Sequence, residues 1–388
     1  MKPRVLILTA GYGEGHNAAA RSLAAAHDAL HGAGAAEVAD VFALASPRLN
    51  ELARRSYLGL INRAPRLWSA AYAWLDRSSL APRLMGLLRA ETRVLARLIA
   101  QRRPDAICAT YPAYGFMLAK LARDGRVDVP CFSVVTDSIS INSLWWRAGA
   151  DGWFVPNEDS AAVMRAAGVD GRRLHVAGFP VNPFFREQAG RLAPPDLRAG
   201  AIPRVLYIIN SGTRGAAETA RRLIAETTWD LTCTVGRNER LRAELAALAA
   251  QRPHPTAILG WTNEIPRLLM THHIVISKAG GATTQEALAA RCPMIVNQIV
   301  PGQEEGNYEL LRRHGIGALA ETPAAVLAEL DRAFRDRGRV WAQWRAALDP
   351  LSRSEAAHEI SRAMAAHAAA RIAIEPVPLP LRATAASA

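Results

Sequence analysis

The residues best suited to chemistry lie in two glycine-rich segments, each of which follows an apolar run typical of a buried strand. The first segment contains Gly15 and His16, and the second runs from Lys278 to Glu286. Glycines let the backbone approach a ligand closely, and a helix that begins there offers unpaired N–H groups and a partial positive charge. A neutral histidine can accept a proton from a hydroxyl held within about 3 Å of its ring. The pattern predicts a nucleotide diphosphate site that faces a reactive histidine.

Asp137 is a second candidate for catalysis, because it directly follows a predicted strand at residues 131–136. Ligands of open α/β sheets lie at the carboxyl ends of the strands. Asp137 could orient His16 or act as the base itself; alternatively, it caps the following turn, as Asp often does. The corresponding alternative for His16 is a histidine at a helix start that contributes only a hydrogen bond.

Polar residues in the second half of the chain are of the types that bind a nucleotide sugar. Lys278 offers an ammonium group, and residues 280–284 offer a helix start, to phosphate oxygens, while Glu286 could accept hydrogen bonds from both ribose hydroxyls. The loop after the next predicted strand offers donors and acceptors for the hydroxyls of a sugar, at Gln303, Glu304 and Asn307. Its alternative is an ordinary polar loop with a helix cap. The GxxxxGKS or GxxxxGKT spacing of a P-loop is absent, which disfavours ATP hydrolysis.

The elements that position these residues alternate between strands and helices, as in a parallel sheet. Strands are predicted at residues 4–10, 37–41, 106–110, 131–136, 152–155 and 174–177, and then at 204–209, 231–235, 256–259, 273–277 and 293–298. Prolines between residues 179 and 203 indicate a hinge. We therefore predict an α/β protein with two Rossmann-like domains facing a cleft, at residues 1–180 and 181–345. A helix at 346–368 returns towards the first domain, and a disordered tail follows at 369–388.

Composition narrows the class of protein and its location. No segment contains the roughly 18 uninterrupted apolar residues of a membrane span, and no signal peptide pattern precedes the first strand. Four widely spaced cysteines within apolar runs predict buried free thiols in a reducing compartment. The expected location is the cytoplasm. A net charge of +12 favours an anionic partner but does not choose among nucleic acid, a phospholipid surface and a phosphorylated substrate.

Residues 51–100 form a basic, amphipathic segment in which nine arginines accompany only three acidic residues. Arginines that pair with lipid phosphates, beside Trp and Leu that enter the headgroup boundary, would form an interfacial anchor. The residues expected to act in this way are Arg54, Arg55, Arg63 and Trp68. The alternative is a solvated helical face whose aromatic residues lie in the core.

Seven segments, in order along the chain, resemble the family of monogalactosyldiacylglycerol synthases and bacterial processive diacylglycerol glucosyltransferases, within glycosyltransferase family 28. They are GYGEGHNAAA at 11–20, VVTDS at 134–138, GFPVNPFF at 178–185, VGRNERL at 235–241, GWTNEIPRLL at 260–269, SKAGGATTQEA at 277–287 and PGQEEGN at 301–307. The resemblance implies a GT-B glycosyltransferase fold, a UDP-sugar donor in the second domain, a lipid acceptor in the first, and inversion at the anomeric carbon.

The resemblance also implies roles for individual residues. His16 resembles the family's proposed base, and Glu286 its ribose ligand. The remaining donor-site residues that it implies are Gly15, Ser211, Gly212, Gly236, Arg237, Asn238, Trp261, Thr262, Lys278, Gly280, Gly281, Ala282, Thr283, Gln303, Glu304 and Asn307. On the acceptor side the family often has a histidine where this chain has Asn142, shortly before Trp145.

These observations predict an inverting transferase that moves galactose or glucose from a UDP-sugar to a membrane lipid hydroxyl such as that of diacylglycerol. The enzyme would sit on the cytoplasmic face of the inner membrane. No Asp-x-Asp pair stands at a predicted strand end, so we expect no metal or other cofactor. The alternatives are a UDP-sugar epimerase or hydrolase on the same fold, and a non-enzymatic UDP-sugar sensor. Nucleic acid is not an expected partner, because no nucleic-acid-binding motif accompanies the charge.

Overall fold

The structure, a computed structural model, contains two separate parallel sheets of six strands each. It describes residues 3–78, 80–209, 215–302 and 304–370. The first sheet is formed by β1 (Val5–Thr9), β2 (Ala36–Asp40), β3 (Ala106–Ala109), β4 (Cys131–Val134), β5 (Gly152–Val155) and β6 (Leu174–Val176). The second is formed by β7 (Arg204–Ile208), β8 (Asp230–Thr234), β9 (Thr256–Leu259), β10 (Ile274–Lys278), β11 (Met294–Gln298) and β12 (Ala318–Leu319). The first sheet with the helices packed on it is called the N-terminal lobe, and the second sheet with its helices is called the C-terminal lobe.

Helices connect the strands and cover the sheets. In the N-terminal lobe they are α1 (Glu14–His31), α2 (Val41–Ala45), α3 (Pro47–Arg63), α4 (Pro65–Arg77), α5 (Ala81–Met85), α6 (Arg89–Arg102), α7 (Ala113–Arg123), α8 (Leu144–Arg147) and α9 (Glu158–Ala166). From the linker, which we define as residues 179–203, onward they are α10 (Phe184–Glu187), α11 (Ala216–Glu226), α12 (Glu239–Ala249), α13 (Ile265–Thr271), α14 (Gly281–Ala289), α15 (Glu305–Arg313), α16 (Pro323–Ala347) and α17 (Ala356–Ala370).

The strand order of each sheet places a ligand crevice at the centre of its carboxyl edge. The N-terminal order is β2-β1-β3-β4-β5-β6, so strands are added on one side of β1 first and on its other side from β3 onward. The switch point therefore lies between β1 and β3. The C-terminal order is β12-β11-β10-β7-β8-β9, and its switch point lies between β7 and β10. Loops leave such a switch point in opposite directions and leave a crevice between them. The two glycine-rich segments follow β1 and β10, and each therefore lies at the switch point of its own sheet.

Helices cover both faces of each parallel sheet, so the strands between them are buried and their apolar side chains form the cores. In the N-terminal lobe, Ile7 of β1 is fully buried, and in the C-terminal lobe Val275 of β10 is fully buried as well. The linker is not an extended tether, since Phe179 and Phe185 are buried in the C-terminal core. Ala19 of α1 packs into that same core, so the two lobes are in contact.

The last helix, α17, packs on the N-terminal lobe. Ile360 and Met364 join the core formed by β1, β3 and β4, and the Ser361 hydroxyl lies 2.8 Å from Nδ1 of His27 on α1. Gly178 permits the approach of the segment before α17. Its φ is +99°, and a Cβ atom at this position would lie 2.6 Å from Cβ of Arg353. The chain thus crosses from the C-terminal lobe back to the N-terminal lobe between α16 and α17.

The predicted fold class is confirmed, since both sheets are parallel and carry helices. All eleven predicted strands are present, and the two-residue β12 was not predicted. The cysteines are free thiols, as expected, and three of the four are buried. Of the predicted tail, residues 369 and 370 are the last residues of α17, and residues 371–388 lie outside the described residues.

Candidate functional site

The His16 side chain is held at the switch point of the N-terminal sheet. It stands in the first turn of α1, and its Nδ1 atom lies 2.6 Å from the Thr110 carbonyl oxygen, just beyond β3. Because a carbonyl only accepts, Nδ1 carries the proton and donates it to Thr110. The Thr136 hydroxyl lies 3.0 Å from the same nitrogen. Nε2 is thereby left as the unprotonated nitrogen, and no other described residue forms a hydrogen bond with it.

Burial keeps the His16 ring neutral. Desolvation lowers the pKa of His16 to about 4, and the hydrogen bond to the Thr110 carbonyl opposes the shift only in part. Tyr111 meets the ring edge-to-face at 5.1 Å between centroids, and Trp145 lies at 6.2 Å. The residue is nevertheless only partly buried, at the mouth of the crevice rather than within the hydrophobic core. A neutral imidazole with a free Nε2 can serve as a proton acceptor at pH 7.

Asp137 positions an aromatic residue beside His16. The Trp145 indole N–H donates to Oδ2 of Asp137 at 2.8 Å. The hydrogen bonds seen at His16 Nδ1 are those with Thr110 and Thr136. Asp137 thus contacts Trp145, which lies beside His16, and the prediction that Asp137 orients His16 or acts as the base stays a prediction. Sequence reasoning missed the two threonines, although both follow strands at the carboxyl edge of the sheet.

Asn142 and Trp145, predicted to lie on the acceptor or membrane side, are both buried. The Asn142 side chain accepts a hydrogen bond from the Leu144 backbone N–H at 3.1 Å, at the start of α8. These two residues do not form an exposed membrane surface, because the short α8 packs inward. Trp145 still lies against the His16 ring, so its predicted part in the acceptor site is compatible with its place.

The start of α14 meets the start of α1 across the crevice. A Cβ atom on Gly15 would lie 3.9 Å from the Ala282 backbone nitrogen, and one on Gly281 would lie 3.4 Å from the Thr136 carbonyl oxygen. Thr283 follows in the first turn of α14, and Gly280 is its N-cap residue. Two positive helix ends that face each other repel, so an anion between them would stabilise the arrangement. The geometry suits a diphosphate.

Lys278 and Glu304, predicted to contact phosphate and sugar respectively, form an ion pair with each other. The second carboxylate oxygen of Glu304 accepts the Val300 backbone N–H at 3.0 Å, and the residue is buried. Neighbouring Asn307 donates from Nδ2 to the Ala279 carbonyl at 2.9 Å. Its buried Oδ1 has no hydrogen-bond partner among the residues described. An unused buried acceptor is costly, and a sugar hydroxyl would satisfy it.

Glu286 points towards α1 of the other lobe. It stands in the second turn of α14, because the helix begins at Gly281. Desolvation raises the pKa of Glu286 to about 7, with Arg21 of α1 lowering it and Glu14 raising it. Arg21 and Glu14 form an exposed ion pair. The carboxyl group therefore faces the gap between the lobes, where a ribose could meet it.

The loops after β8 and β9 form the outer side of the C-terminal crevice. A Cβ atom on Gly260 would lie 3.5 Å from the Gly236 carbonyl oxygen, so the two loops are neighbours. Arg237 is exposed, and Asn238 caps α12 by accepting the Leu241 N–H at 3.1 Å. Trp261 is 71% exposed, which leaves an indole face available for a planar base, and Thr262 accepts the Glu264 N–H. Ser211, Gly212 and Gln303 lie outside the described residues.

The basic segment at 51–100 divides into helices with different roles. In α6, Leu95 and Ile99 are buried in the core, whereas α3 to α5 expose several large apolar side chains. These exposed residues are Leu49, Leu52, Leu67, Trp74, Leu80, Leu84 and Leu87, of which Leu80 and Leu87 flank α5. We call this set the apolar face. Among the described helices, none is both long and apolar enough to cross a membrane.

Two of the predicted anchor arginines form ion pairs on the surface of α3. Arg54 forms two hydrogen bonds with Glu51, at 2.9 and 3.0 Å, and Arg55 pairs with the same carboxylate at 2.6 Å. The Arg63 side chain lies outside the described part of the chain. Trp68 packs edge-to-face on Tyr57, with 4.9 Å between ring centroids, and is partly buried.

Comparison with known proteins agrees with the motifs. Residues 16–181 match the family model described as monogalactosyldiacylglycerol (MGDG) synthase. The chain is 24% identical over 364 residues to a processive diacylglycerol beta-glucosyltransferase of Bacillus cereus strain AH187, covering 92% of both proteins. It is a relative of these enzymes, as the sequence motifs indicate.

Two solved structures share the fold. The glycosyltransferase SnogD from Streptomyces nogalater superposes with a TM-score of 0.55 at 18% identity, covering 95% of this chain and all (100%) of that one. UDP-GlcNAc 2-epimerase from Neisseria meningitidis, bound to UDP-GlcNAc, superposes with a TM-score of 0.58 at 12% identity, covering 94% and 100%. At such identities the likeness establishes the GT-B fold alone.

Proposed function

We propose that this protein is an inverting glycosyltransferase that moves galactose or glucose from a UDP-sugar to a lipid hydroxyl, with diacylglycerol as the acceptor. The observation that carries the proposal is the position of His16, which stands with a neutral ring at the start of α1, where α1 meets the start of α14. Its relatives are diacylglycerol glycosyltransferases, which supports transfer to a lipid.

In the proposed reaction, the acceptor oxygen attacks C1 of the sugar from the face opposite the diphosphate. The hydroxyl proton passes to Nε2 of His16, while the C1–O bond breaks and its electron pair stays with the departing UDP. The resulting imidazolium keeps its Nδ1–H bond to the Thr110 carbonyl, which holds the ring in place. Because burial disfavours the charged ring, His16 releases its proton readily once the product has left.

The donor would be held by the C-terminal lobe. The N–H groups at Gly281 and Ala282, at the start of α14, would face the β-phosphate, and the Lys278 ammonium, which pairs with Glu304, would lie beside it. Such preorganised donors stabilise the negative charge that grows on the leaving phosphate. Glu286 would bind the ribose, Asn307 Oδ1 a sugar hydroxyl, and the exposed Trp261 the base.

The acceptor would reach His16 from the membrane. The apolar face on α3 to α5 can enter the boundary between headgroups and acyl chains, as amphipathic helices do. α3 also adjoins the crevice, since a Cβ atom on Gly11 would lie 3.8 Å from Cδ of Arg54. We propose peripheral attachment to the cytoplasmic face of the inner membrane, with His16 held near the lipid surface.

The test is a product assay with radiolabelled UDP-galactose and UDP-glucose, each incubated with diacylglycerol vesicles. The proposal predicts a labelled lipid with the β-anomer from an α-linked donor, read by chromatography and NMR. Incubation without acceptor separates the alternatives. Rapid release of UDP or an isomerised sugar would indicate a hydrolase or epimerase, whereas tight UDP-sugar binding without any turnover would indicate a sensor.

A further inference from the structure

A cavity in the C-terminal lobe lies away from the strand ends that form the candidate active site. Its volume is about 330 Å³, it opens to solvent, and residues of the linker, the end of α14 and the second half of α16 line it. Four arginines line it: Arg198, Arg291, Arg337 and Arg345. Arg291 follows α14, so the cavity and the proposed diphosphate site lie at opposite ends of a helix about 14 Å long.

The carboxylates in this cavity do not balance its arginines. Asp349 pairs with Arg291, and Asp196 uses its carboxylate to accept the Arg198 backbone N–H at 2.9 Å. In the part of the chain that the structure describes, the guanidinium groups of Arg198, Arg337 and Arg345 have no carboxylate partner. Three other arginines of α16, namely Arg332, Arg335 and Arg339, are each paired with an acidic side chain.

Arg345 is the least exposed of the three arginines that have no carboxylate partner. Its guanidinium lies over the Trp341 ring, 5.4 Å from the centroid, and is partly removed from water. Burial lowers the pKa of Arg345, and the nearby Arg291 lowers it further, whereas Cys292 and Asp349 raise it. A desolvated cation beside another cation is unfavourable unless an anion is present.

Two of the four arginines that line this cavity have a left-handed backbone. α16 is interrupted at Arg335–Gly338, and there Arg337 adopts a left-handed φ of 55°; Arg291 has a φ of 54°. Left-handed backbone is uncommon for residues other than glycine and concentrates at functional sites. The break is held against the linker, because a Cβ atom on Gly338 would lie 2.5 Å from Cδ1 of Leu197.

We propose that this cavity is a binding site for a phosphate dianion, either free phosphate or the phosphomonoester head of a lipid. Guanidinium groups match phosphate oxygens through paired, planar hydrogen bonds, which lysines cannot provide. A bound phosphate would connect Arg198 of the linker with Arg291 behind α14 and Arg345 of α16. It would therefore restrain the linker against the C-terminal lobe. The proposal does not depend on the transferase activity.

Isothermal titration with inorganic phosphate tests the site, at constant ionic strength and with saturating UDP present to occupy the proposed diphosphate site. Arg337→Asn is the first variant, because asparagine tolerates a left-handed backbone and the fold should be retained. Arg345→Met is the second. Each should weaken phosphate binding about tenfold or more, the equivalent of one lost charge-assisted contact. Arg335→Gln, which removes a charge from α16 outside the cavity, should bind like the wild type.

Vesicles distinguish the two sources of phosphate. Binding of wild type and Arg337→Asn is compared on phosphatidylcholine vesicles with and without a minor share of phosphatidic acid. A phosphatidic-acid-dependent gain that the variant loses supports the site with a lipid head as ligand. A wild-type phosphate isotherm that the variants lose, with no such gain on vesicles, supports free phosphate. The proposal is overturned if phosphate and vesicle binding are the same in wild type, Arg337→Asn and Arg345→Met.

Discussion

The low basicity of His16 makes a specific prediction about pH. Since burial lowers the pKa of His16 to about 4, the ring stays neutral well below the usual histidine range. We expect the acid limb of kcat/KM to lie near pH 4–5 rather than near about 6.5, the ordinary histidine value. Activity is lost as pH falls through this limb, because a protonated ring cannot accept the acceptor's proton. A limb near the ordinary value would show that the ring is solvated during turnover.

Substitution separates His16 from Asp137. His16→Ala should lower kcat by about 10²- to 10⁴-fold and leave the Kd for UDP unchanged, as expected for loss of a general base. Asp137→Asn is the matched variant, because its amide oxygen can still accept the Trp145 indole N–H. We expect it to lower kcat by less than about tenfold. If Asp137→Asn has the larger effect, the carboxylate is the base.

Glu286 should make the folded protein less stable as pH rises. Its folded pKa of about 7 lies above the ordinary value of 4.5, so the native state binds more protons between these pH values. Glu286→Gln removes the penalty of ionising a buried carboxyl group. Its free energy of unfolding relative to wild type should increase by roughly 1–3 kcal/mol across this range and then stay constant. Urea unfolding at several pH values measures the difference, and a constant difference would contradict the assignment.

In the proposed reaction, protein groups rather than a metal ion stabilise the negative charge that develops on the leaving phosphate. With helix N–H groups and Lys278 at the diphosphate site, we expect activity to persist in EDTA. The measurement is the initial rate of lipid glycosylation after exhaustive chelation. Loss of activity that Mg²⁺ or Mn²⁺ restores would show that a metal shares this role. Lys278→Met, by comparison, should lower kcat whether or not EDTA is present.

At the scale of elements, strands were predictable from sequence and pairings between side chains were not. Apolar runs such as that at Val5–Thr9 are long enough to be recognised, whereas the two residues of β12 carry no pattern. The break in α16 falls on Arg335–Gly338, where a single glycine in a helical pattern does not predict a left-handed turn. The ion pair of Lys278 with Glu304 joins residues that follow different strands. Sequence placed both at one sheet edge but could not show that each neutralises the other.

The apolar face of α3 to α5 predicts how the protein attaches to membranes. Replacing Leu52, Leu67 and Trp74 together by Gln should weaken binding to phospholipid vesicles about tenfold or more, since burying one leucine contributes roughly 1.5–3 kcal/mol. Co-sedimentation measures the change. Ile202→Gln, which alters an exposed apolar residue of the linker, should bind like the wild type. Equal binding of all these proteins would remove the membrane role of this face.

At the scale of the whole molecule, contacts between the lobes hold the crevice closed. Gln285 of α14 donates to the Ser138 hydroxyl at 2.9 Å, and Arg313, the last residue of α15, pairs with Asp159 at 3.2 Å. Closure of this kind excludes water from the reaction and completes the site only when both lobes meet. His16 and Gly281 belong to different lobes, so the proposed transfer would require the closed form, whereas the proposed UDP binding would require chiefly the C-terminal lobe.

Gly306 offers a way to open the molecule without disturbing either lobe. It lies in the first turn of α15, and a Cβ atom there would stand 1.8 Å from the Ser138 carbonyl oxygen of the other lobe. Gly306→Ala should therefore force the lobes apart, lowering kcat strongly while changing the Kd for UDP little. Small-angle scattering should report a larger radius of gyration than in wild type. Gly171→Ala is the control, because its added methyl group meets only the Arg165 side chain at ordinary contact distance, 3.8 Å. Full activity in a Gly306→Ala protein that is measurably open would mean that the chemistry does not need both lobes together.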